Sequence, residues 1–149
     1  MNSQTIQADM MGRVVTEATI ENLEDVWAVK RGRLTADQVR RLTISDALVD
    51  TGATLLSIPS TLIKQLGLEK TGTKRVISST GDSSANVYEA VRLTIQDRSC
   101  TMDVMEVPDG VPVLIGQIPL EHLDLVVDLR SRSLIGNPAH GGEHVYELL

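Results

Sequence analysis

Ala47-Leu48-Val49-Asp50-Thr51-Gly52-Ala53-Thr54 is the stretch around which the rest of the chain is arranged. Three apolar residues run straight into an aspartate, then a small hydroxylated residue, then glycine. A carboxylate at the end of a buried run loses its hydration, which is costly unless the group is paired, ligated or used. Thr51 offers a hydroxyl, and Gly52 lets the backbone turn tightly or approach another group closely. The stretch reads as a strand delivering one carboxylate to a tight loop in a dry place. The bland alternative for Asp50 is a capped turn.

A second stretch is its counterpart. Val111-Pro112-Val113-Leu114-Ile115-Gly116-Gln117 is another apolar run ending in glycine, followed by Ile118-Pro119-Leu120-Glu121-His122-Leu123. A bare Asp-Thr-Gly is a weak signal. It gains weight from Leu48-Val49 before it, Ala53 after it and Leu114-Ile115-Gly116 about sixty residues on. Together the two stretches resemble the retropepsin-like aspartic peptidases, with their Asp-Thr-Gly-Ala loop and the hydrophobic-hydrophobic-Gly loop that crosses near it. The resemblance runs from about Val14 to Pro138. It implies an all-β fold, a closed barrel of six or seven strands with one or two short helices, and an active site at a homodimer two-fold axis. The organisation it suggests is an N-terminal arm (1–13), a peptidase domain (14–138) and a tail (139–149) that can serve as an interface strand.

Composition agrees with one domain. A chain of 149 residues is large enough to bury a real core. Aromatics make up only 2%, with no Phe, so Val, Leu and Ile must fill that core, which favours strands. A formal net charge of −6 and the absence of a basic face argue against nucleic acid as a partner. Cys100, the single cysteine, excludes an internal disulfide and fits a reducing cytoplasm. The N-terminus has no basic region followed by an apolar core, which predicts no signal peptide, and no apolar run is long enough to span a bilayer.

Along the chain, Val14 to Ile20 alternates as a strand. Asn22 is placed to cap a helix with Glu24 and Asp25 in its first turn, Leu23, Val26 and Trp27 on its buried face, and Gly32 as its stop. Thr35 to Gln38 has capping-box spacing. Val39 to Ile44 leads into the Asp50 strand, and Leu55 to Pro59 is a further strand. Ser60 is expected to cap a helix over Thr61–Leu66 that Gly67 ends. Lys74–Ser78 and Ala85–Ile95 read as hairpin arms with 79–84 at the tip. Cys100–Val107, a helix at Pro119–Leu123, and strands Leu125–Asp128 and Ser133–Gly136 follow. Many short strands with frequent turns argue a barrel.

The resemblance assigns chemistry residue by residue. Peptide hydrolysis by a carboxylate pair needs one ionised aspartate to take a proton from the attacking water and one neutral aspartate to donate to the carbonyl oxygen. Aspartic peptidases in general hold the two about 3 Å apart, where both cannot ionise. This chain has a single Asp-Thr-Gly; Asp128 follows Leu125-Val126-Val127 but leads into Leu129-Arg130, and Asp46 lacks the motif. The second carboxylate is therefore expected from another copy. Asp50, Thr51 and Gly52 form the catalytic set. Thr51 bonds either across the dimer axis, as the resemblance implies, or locally within its turn. Ala53, Thr54 and Gly116 are placed against substrate. So are Ser79, Thr80 and Gly81, either as a flap that covers the cleft or as an ordinary hairpin turn. No cofactor and no metal is implied; the partners are a second copy and a protein or peptide substrate.

The chain departs from the retroviral pattern at Thr54 and Gln117, where retroviral enzymes carry an acid and an arginine, so any support there is expected to be neutral hydrogen bonding. The helical excursion around Trp27 is another departure. His140-Gly141-Gly142-Glu143-His144 has the spacing of a zinc-peptidase motif, which works only on a helix. Adjacent glycines oppose a helix there at about 1 kcal/mol each. Val145–Leu149 reads instead as a terminal strand. The functional expectation is a cytoplasmic aspartic endopeptidase. The alternative is a catalytically weak dimerisation or peptide-binding module on the same fold.

Overall fold

The computed structural model describes residues 13–78 and 80–148. The strands are β1 (Val14–Asn22), β2 (Arg41–Val49), β3 (Leu56–Pro59), β4 (Lys70–Ser78) and β5 (Gly81–Ile95). They continue as β6 (Arg98–Val107), β7 (Leu114–Ile115), β8 (Leu125–Asp128) and β9 (Ser133–Gly136). Three short helices interrupt them: α1 (Leu23–Lys30), α2 (Ser60–Gln65) and α3 (Gln117–Leu123). The all-β class expected from the turn-rich pattern is the one observed, and the three short helices lie where the residue pattern placed helices, one more than the resemblance implied. Of the N-terminal arm, residues 1–12 lie outside the described residues.

Seven strands share one sheet in the order β1-β2-β7-β3-β6-β5-β4, and β1 also pairs with β5. The pairing ladder therefore returns to its starting strand, with β4 added outside through its hairpin with β5. Strands β8 and β9 form a separate antiparallel pair. The core inside is aliphatic, as the lack of Phe requires: Ile20, Leu56, Ile58, Leu93, Val104, Ile115 and Leu120 are all almost fully buried. Burying each such side chain contributes about 1.5–3 kcal/mol. Among the described residues, no helix is long and apolar enough to cross a membrane.

Local chemistry explains where the elements start. The Asn22 side chain accepts from the Asp25 N–H at 3.1 Å, the expected cap, and its own amide donates to the Leu66 carbonyl at 2.9 Å. Asp25 is buried, and its carboxylate receives the Arg40 backbone N–H (3.0 Å), Nε (2.8 Å) and Nη2 (3.0 Å). This pair fastens α1 to the approach of β2. Leu23 and Val26 are buried as expected, but Trp27 is 48% exposed. The inward positions of this eight-residue helix go to Leu23, Asp25 and Val26. Trp27 is left at the solvent edge, where the Arg31 guanidinium lies 5.7 Å from its ring centroid.

Several elements start earlier than expected, α3 at Gln117 and β6 at Arg98 among them, and two differences have a clear cause. Ser60 is the first residue of α2 rather than its cap, and its hydroxyl turns to the Val107 carbonyl. The free N–H of Thr61 is instead satisfied by Asp109, 48 positions away, at 2.9 Å, with the Thr61 hydroxyl on the other carboxylate oxygen at 2.7 Å. The β4–β5 hairpin is also longer than expected. Ser78 pairs with Gly81, so the connection narrows to residues 79 and 80.

Candidate active site

Asp50 lies one residue past the end of β2. Along this strand Ala47 and Val49 face the core and Leu48 is half-buried. Continued alternation sends Asp50 to the opposite side from Val49, and its side chain is exposed. The apolar run is buried, and in the single chain its aspartate faces water.

The loop that carries Asp50 is nonetheless held firmly. Strands β2 and β3 flank it without pairing to each other, because β7 lies between them, parallel to β2 and antiparallel to β3. Asp50 N–H donates to the Ile115 carbonyl at 3.0 Å, and Ala53 N–H to the Asp50 carbonyl at 3.0 Å. Gly52 N–H donates to Asp50 Oδ1 at 3.0 Å, which orients the carboxylate. A Cβ on Gly52 would stand 3.2 Å from that same oxygen, so the glycine leaves the carboxylate its position.

Gly116 is the floor of the loop. A Cβ there would lie 2.6–2.7 Å from backbone atoms of Ala53, Thr54 and Leu55, closer than real contacts allow. Its N–H donates to the Leu55 carbonyl at 3.0 Å. The next two N–H groups, on Gln117 and Ile118, donate to the carbonyls of Ala53 (2.9 Å) and Thr54 (3.0 Å). These belong to the first turn of α3, whose N–H groups have no partner within a helix. Loop and helix satisfy each other, so the two quoted stretches meet in space.

Support at Thr54 and Gln117 is neutral hydrogen bonding, as expected, and it comes from the backbone rather than from a side-chain pair. Gln117 Nε2 reaches Glu121 Oε1 at 3.3 Å within α3, and the support is entirely backbone. Of the residues placed against substrate, Ala53 is half-buried, Thr54 is exposed, and Gly116 is buried beneath the loop. Thr51 is exposed and has no hydrogen-bond partner among the described residues, so the local turn bond is not made. Thr80 and Gly81 stand at the exposed hairpin tip, where Gly81 takes φ +119°, a conformation that favours glycine. Ser79 lies outside the described residues. Behind the tip, Ile77 is 75% exposed, and Arg75 and Asp82 form a surface ion pair.

One cavity was not foreseen. A space of about 310 Å3 opens between Leu55 at the end of the Asp50 loop, Lys74 and Val87 of the hairpin, Met102 and Met105 of β6, and Ile118 of α3. Its lining comes from four separate elements, and no local sequence pattern joins them. Asp128, the other aspartate after an apolar run, closes the β8–β9 turn by accepting from Ser131 Oγ at 2.7 Å and the Arg130 N–H at 3.3 Å.

The zinc-peptidase spacing in the tail does not form a helix. Gly141 and Gly142 both take positive φ, +67° and +79°, after a single 3-10 turn over Pro138–His140. Both ring nitrogens of His140 face carboxylates, and His144 Nε2 lies 2.9 Å from the His122 carbonyl oxygen. Residues 143–148 carry no strand in the single chain.

The aspartyl protease family model matches residues 34–118, which include both the Asp50 loop and Gly116. The chain belongs to the aspartyl protease family. Among solved structures it is similar to the solution structure of the simian foamy virus (mac) protease, at 19% identity, over 73% of this chain and 93% of that one, with a TM-score of 0.45. No curated protein matches the sequence significantly.

Proposed function

We propose that the chain is an aspartic endopeptidase whose active unit is a two-fold homodimer, with one Asp50 from each copy. The observation that supports this most strongly is the setting of Asp50: a carboxylate fixed by the Gly52 N–H, on a loop locked over Gly116, yet facing outward with no second carboxylate of its own motif. A second copy meeting it across a two-fold axis would supply that group and remove water from both.

In this reading the pair shares one proton. The ionised aspartate takes a proton from water as its oxygen attacks the peptide carbonyl carbon, and the neutral one donates to the carbonyl oxygen. Collapse of the tetrahedral species breaks the C–N bond, and the leaving amine takes a proton. Thr51, with its hydroxyl unused in the single chain, bonds to the partner's loop. The hairpin tip at 79–81 covers the cleft, and the cavity beside Leu55 receives a substrate side chain. A reducing, cytoplasmic setting fits the lone thiol of Cys100.

The test is cleavage of a peptide library by the purified protein and by Asp50→Asn, with sedimentation of both. Asp50→Asn keeps size and shape while removing the general base from both copies. Loss of cleavage by several orders of magnitude with the dimer intact is the expected result. Near wild-type cleavage by Asp50→Asn, or full activity from a strict monomer, would overturn the reading. A stable dimer of native sequence that cleaves nothing would favour the binding-module alternative.

A further inference from the structure

The C-terminal segment ends in an arrangement that the peptidase reading does not use. Asp124, at the end of α3, takes a left-handed conformation (φ +53°) and is almost fully buried. Its Oδ1 receives Asn137 Nδ2 at 3.2 Å, and its Oδ2 receives the Val145 N–H at 3.1 Å. His140 Nδ1 lies 2.7 Å from the same Oδ2, and His140 Nε2 lies 2.7 Å from Glu147 Oε1. The imidazole is thus clamped between two carboxylates, one buried and one on the exposed last stretch of chain.

Stoichiometry of protons decides what this clamp requires. A carboxylate accepts only, and a neutral imidazole has one N–H to give. Both contacts can be hydrogen bonds only when both ring nitrogens carry protons. We propose that His140 is a proton-operated latch that holds the last residues of the chain on α3 when protonated and releases Glu147 and its neighbours when neutral.

Which arm opens follows from the surroundings. Asp124 is buried and also held by Asn137 and Val145, so losing the His140 bond would leave a desolvated carboxylate short of a donor, at a cost. Glu147 is three-quarters exposed, and its side chain has no other hydrogen-bond partner among the described residues, so a neutral His140 keeps its proton on Nδ1 and lets Glu147 go. Hydrogen bonding to Glu147 and then to Asp124 raises the affinity of His140 for its proton above that of an ordinary histidine. The other charged groups at the joint do not cancel this. Glu121 of α3 lines a cavity of about 550 Å3 together with Asp124, His140 and Glu147, and its negative charge favours the protonated ring. Arg98 of β6 spends its guanidinium on the carbonyls of Leu123, Asp124 and Gly142. The sign is fixed: the latch is complete below the ordinary histidine range and opens as pH rises through the raised native value.

The test uses the whole chain at about pH 5.5 and about pH 8.5, on either side of the ordinary histidine value. Two NMR quantities are read: the titration of the His140 ring, and the backbone heteronuclear NOE of residues 146–148. The wild type is expected to show ordered values at the lower pH and a loss of order at the higher. Glu147→Gln should lower the His140 midpoint, and His140→Gln should remove the pH dependence of the tail. Unchanged signals from β5 and β6 establish that each variant is folded. A tail equally ordered at both values in the wild type, or a His140 midpoint unmoved by Glu147→Gln, would overturn the proposal. Neither readout depends on catalysis, so the latch and the peptidase reading stand or fall separately.

Discussion

Replacing Gly116 by alanine tests the link between the two stretches that define the site. The added methyl would stand 2.6–2.7 Å from the backbone of Ala53, Thr54 and Leu55, and none of these is the yielding end of a flexible side chain. Recovering ordinary contact requires the loop and β7 to part by about 0.8 Å, and close-packed interiors resist such shifts. Overpacking of this kind costs about 1–3 kcal/mol. The same shift stretches three hydrogen bonds, from the N–H groups of Gly116, Gln117 and Ile118 to Leu55, Ala53 and Thr54. Each is worth about 1 kcal/mol when made, and partial loss of the three brings the expected destabilisation to about 2–4 kcal/mol. With a urea slope of about 2 kcal/mol per molar, the unfolding midpoint should fall by about 1–2 M. Urea unfolding followed by circular dichroism measures this, and peptide cleavage measured in parallel should fall more steeply than the folded fraction, because the displaced loop carries Asp50. A variant within about 0.5 kcal/mol of wild type and equally active would refute the reasoning, since surface-like substitutions fall in that range.

Two further outcomes follow from buried groups away from the site. Asp25→Ala removes three charge-assisted hydrogen bonds to Arg40, which is half-exposed and can return to water; stability should drop by about 2–3 kcal/mol near neutral pH. Hydrogen bonding to the Arg40 side chain holds the Asp25 carboxyl below the usual range, so its contribution is present above the ordinary aspartate value and lost as pH falls through the lowered native one. The gap between wild type and variant in urea midpoint should therefore shrink in acid, and a gap independent of pH would count against this pair. Burial pushes the Cys100 thiol up to about 11, so a thiol-specific reagent near pH 8 should react slowly with the folded protein and rapidly in urea. Equal rates in both would show that β6 opens freely.

The features legible in the sequence were those written into neighbouring residues. Leu48-Val49-Asp50 announced a strand and its end through alternation, and Leu114-Ile115-Gly116 announced a second run stopped by a residue without a side chain. That the two would touch came from the family resemblance, and the structure supplies the reason, a β7 strand threaded between β2 and β3. What escaped was set across distance. Ser60 had the composition of a cap, but Asp109 arrives from 48 positions away and takes the role. The hydroxyl-rich stretch from Ser79 to Ser84 had the composition of a turn, yet Gly81–Ser84 are paired in the hairpin because β4 offers them a complete ladder. Trp27 looked like a core residue by its helical spacing from Leu23 and Val26. The inward positions went to smaller neighbours and to Asp25, whose partner Arg40 lies 15 positions on.

Helix α3 explains why so short an element can matter to both ends of the molecule. Seven residues make about two turns, too few to hold a helix together in water unaided. Its stability has to come from its surroundings: Leu120 and Leu123 are buried in the core, its first N–H groups are taken by the Asp50 loop, and its last turn is closed by Asp124. The groups that stabilise the helix are thus the same groups that position the candidate catalytic loop at one end and the tail at the other. The loop carbonyls of Ala53 and Thr54 are fixed in return, because the N–H groups they accept from are held by a helix anchored in the core. On the peptidase reading, this is what replaces the charged pair that retroviral enzymes place at the positions of Thr54 and Gln117. Backbone bonds to a core-anchored helix hold the loop without introducing a charge beside Asp50, and on the same reading they leave the exposed carboxylate free to meet that of a second copy.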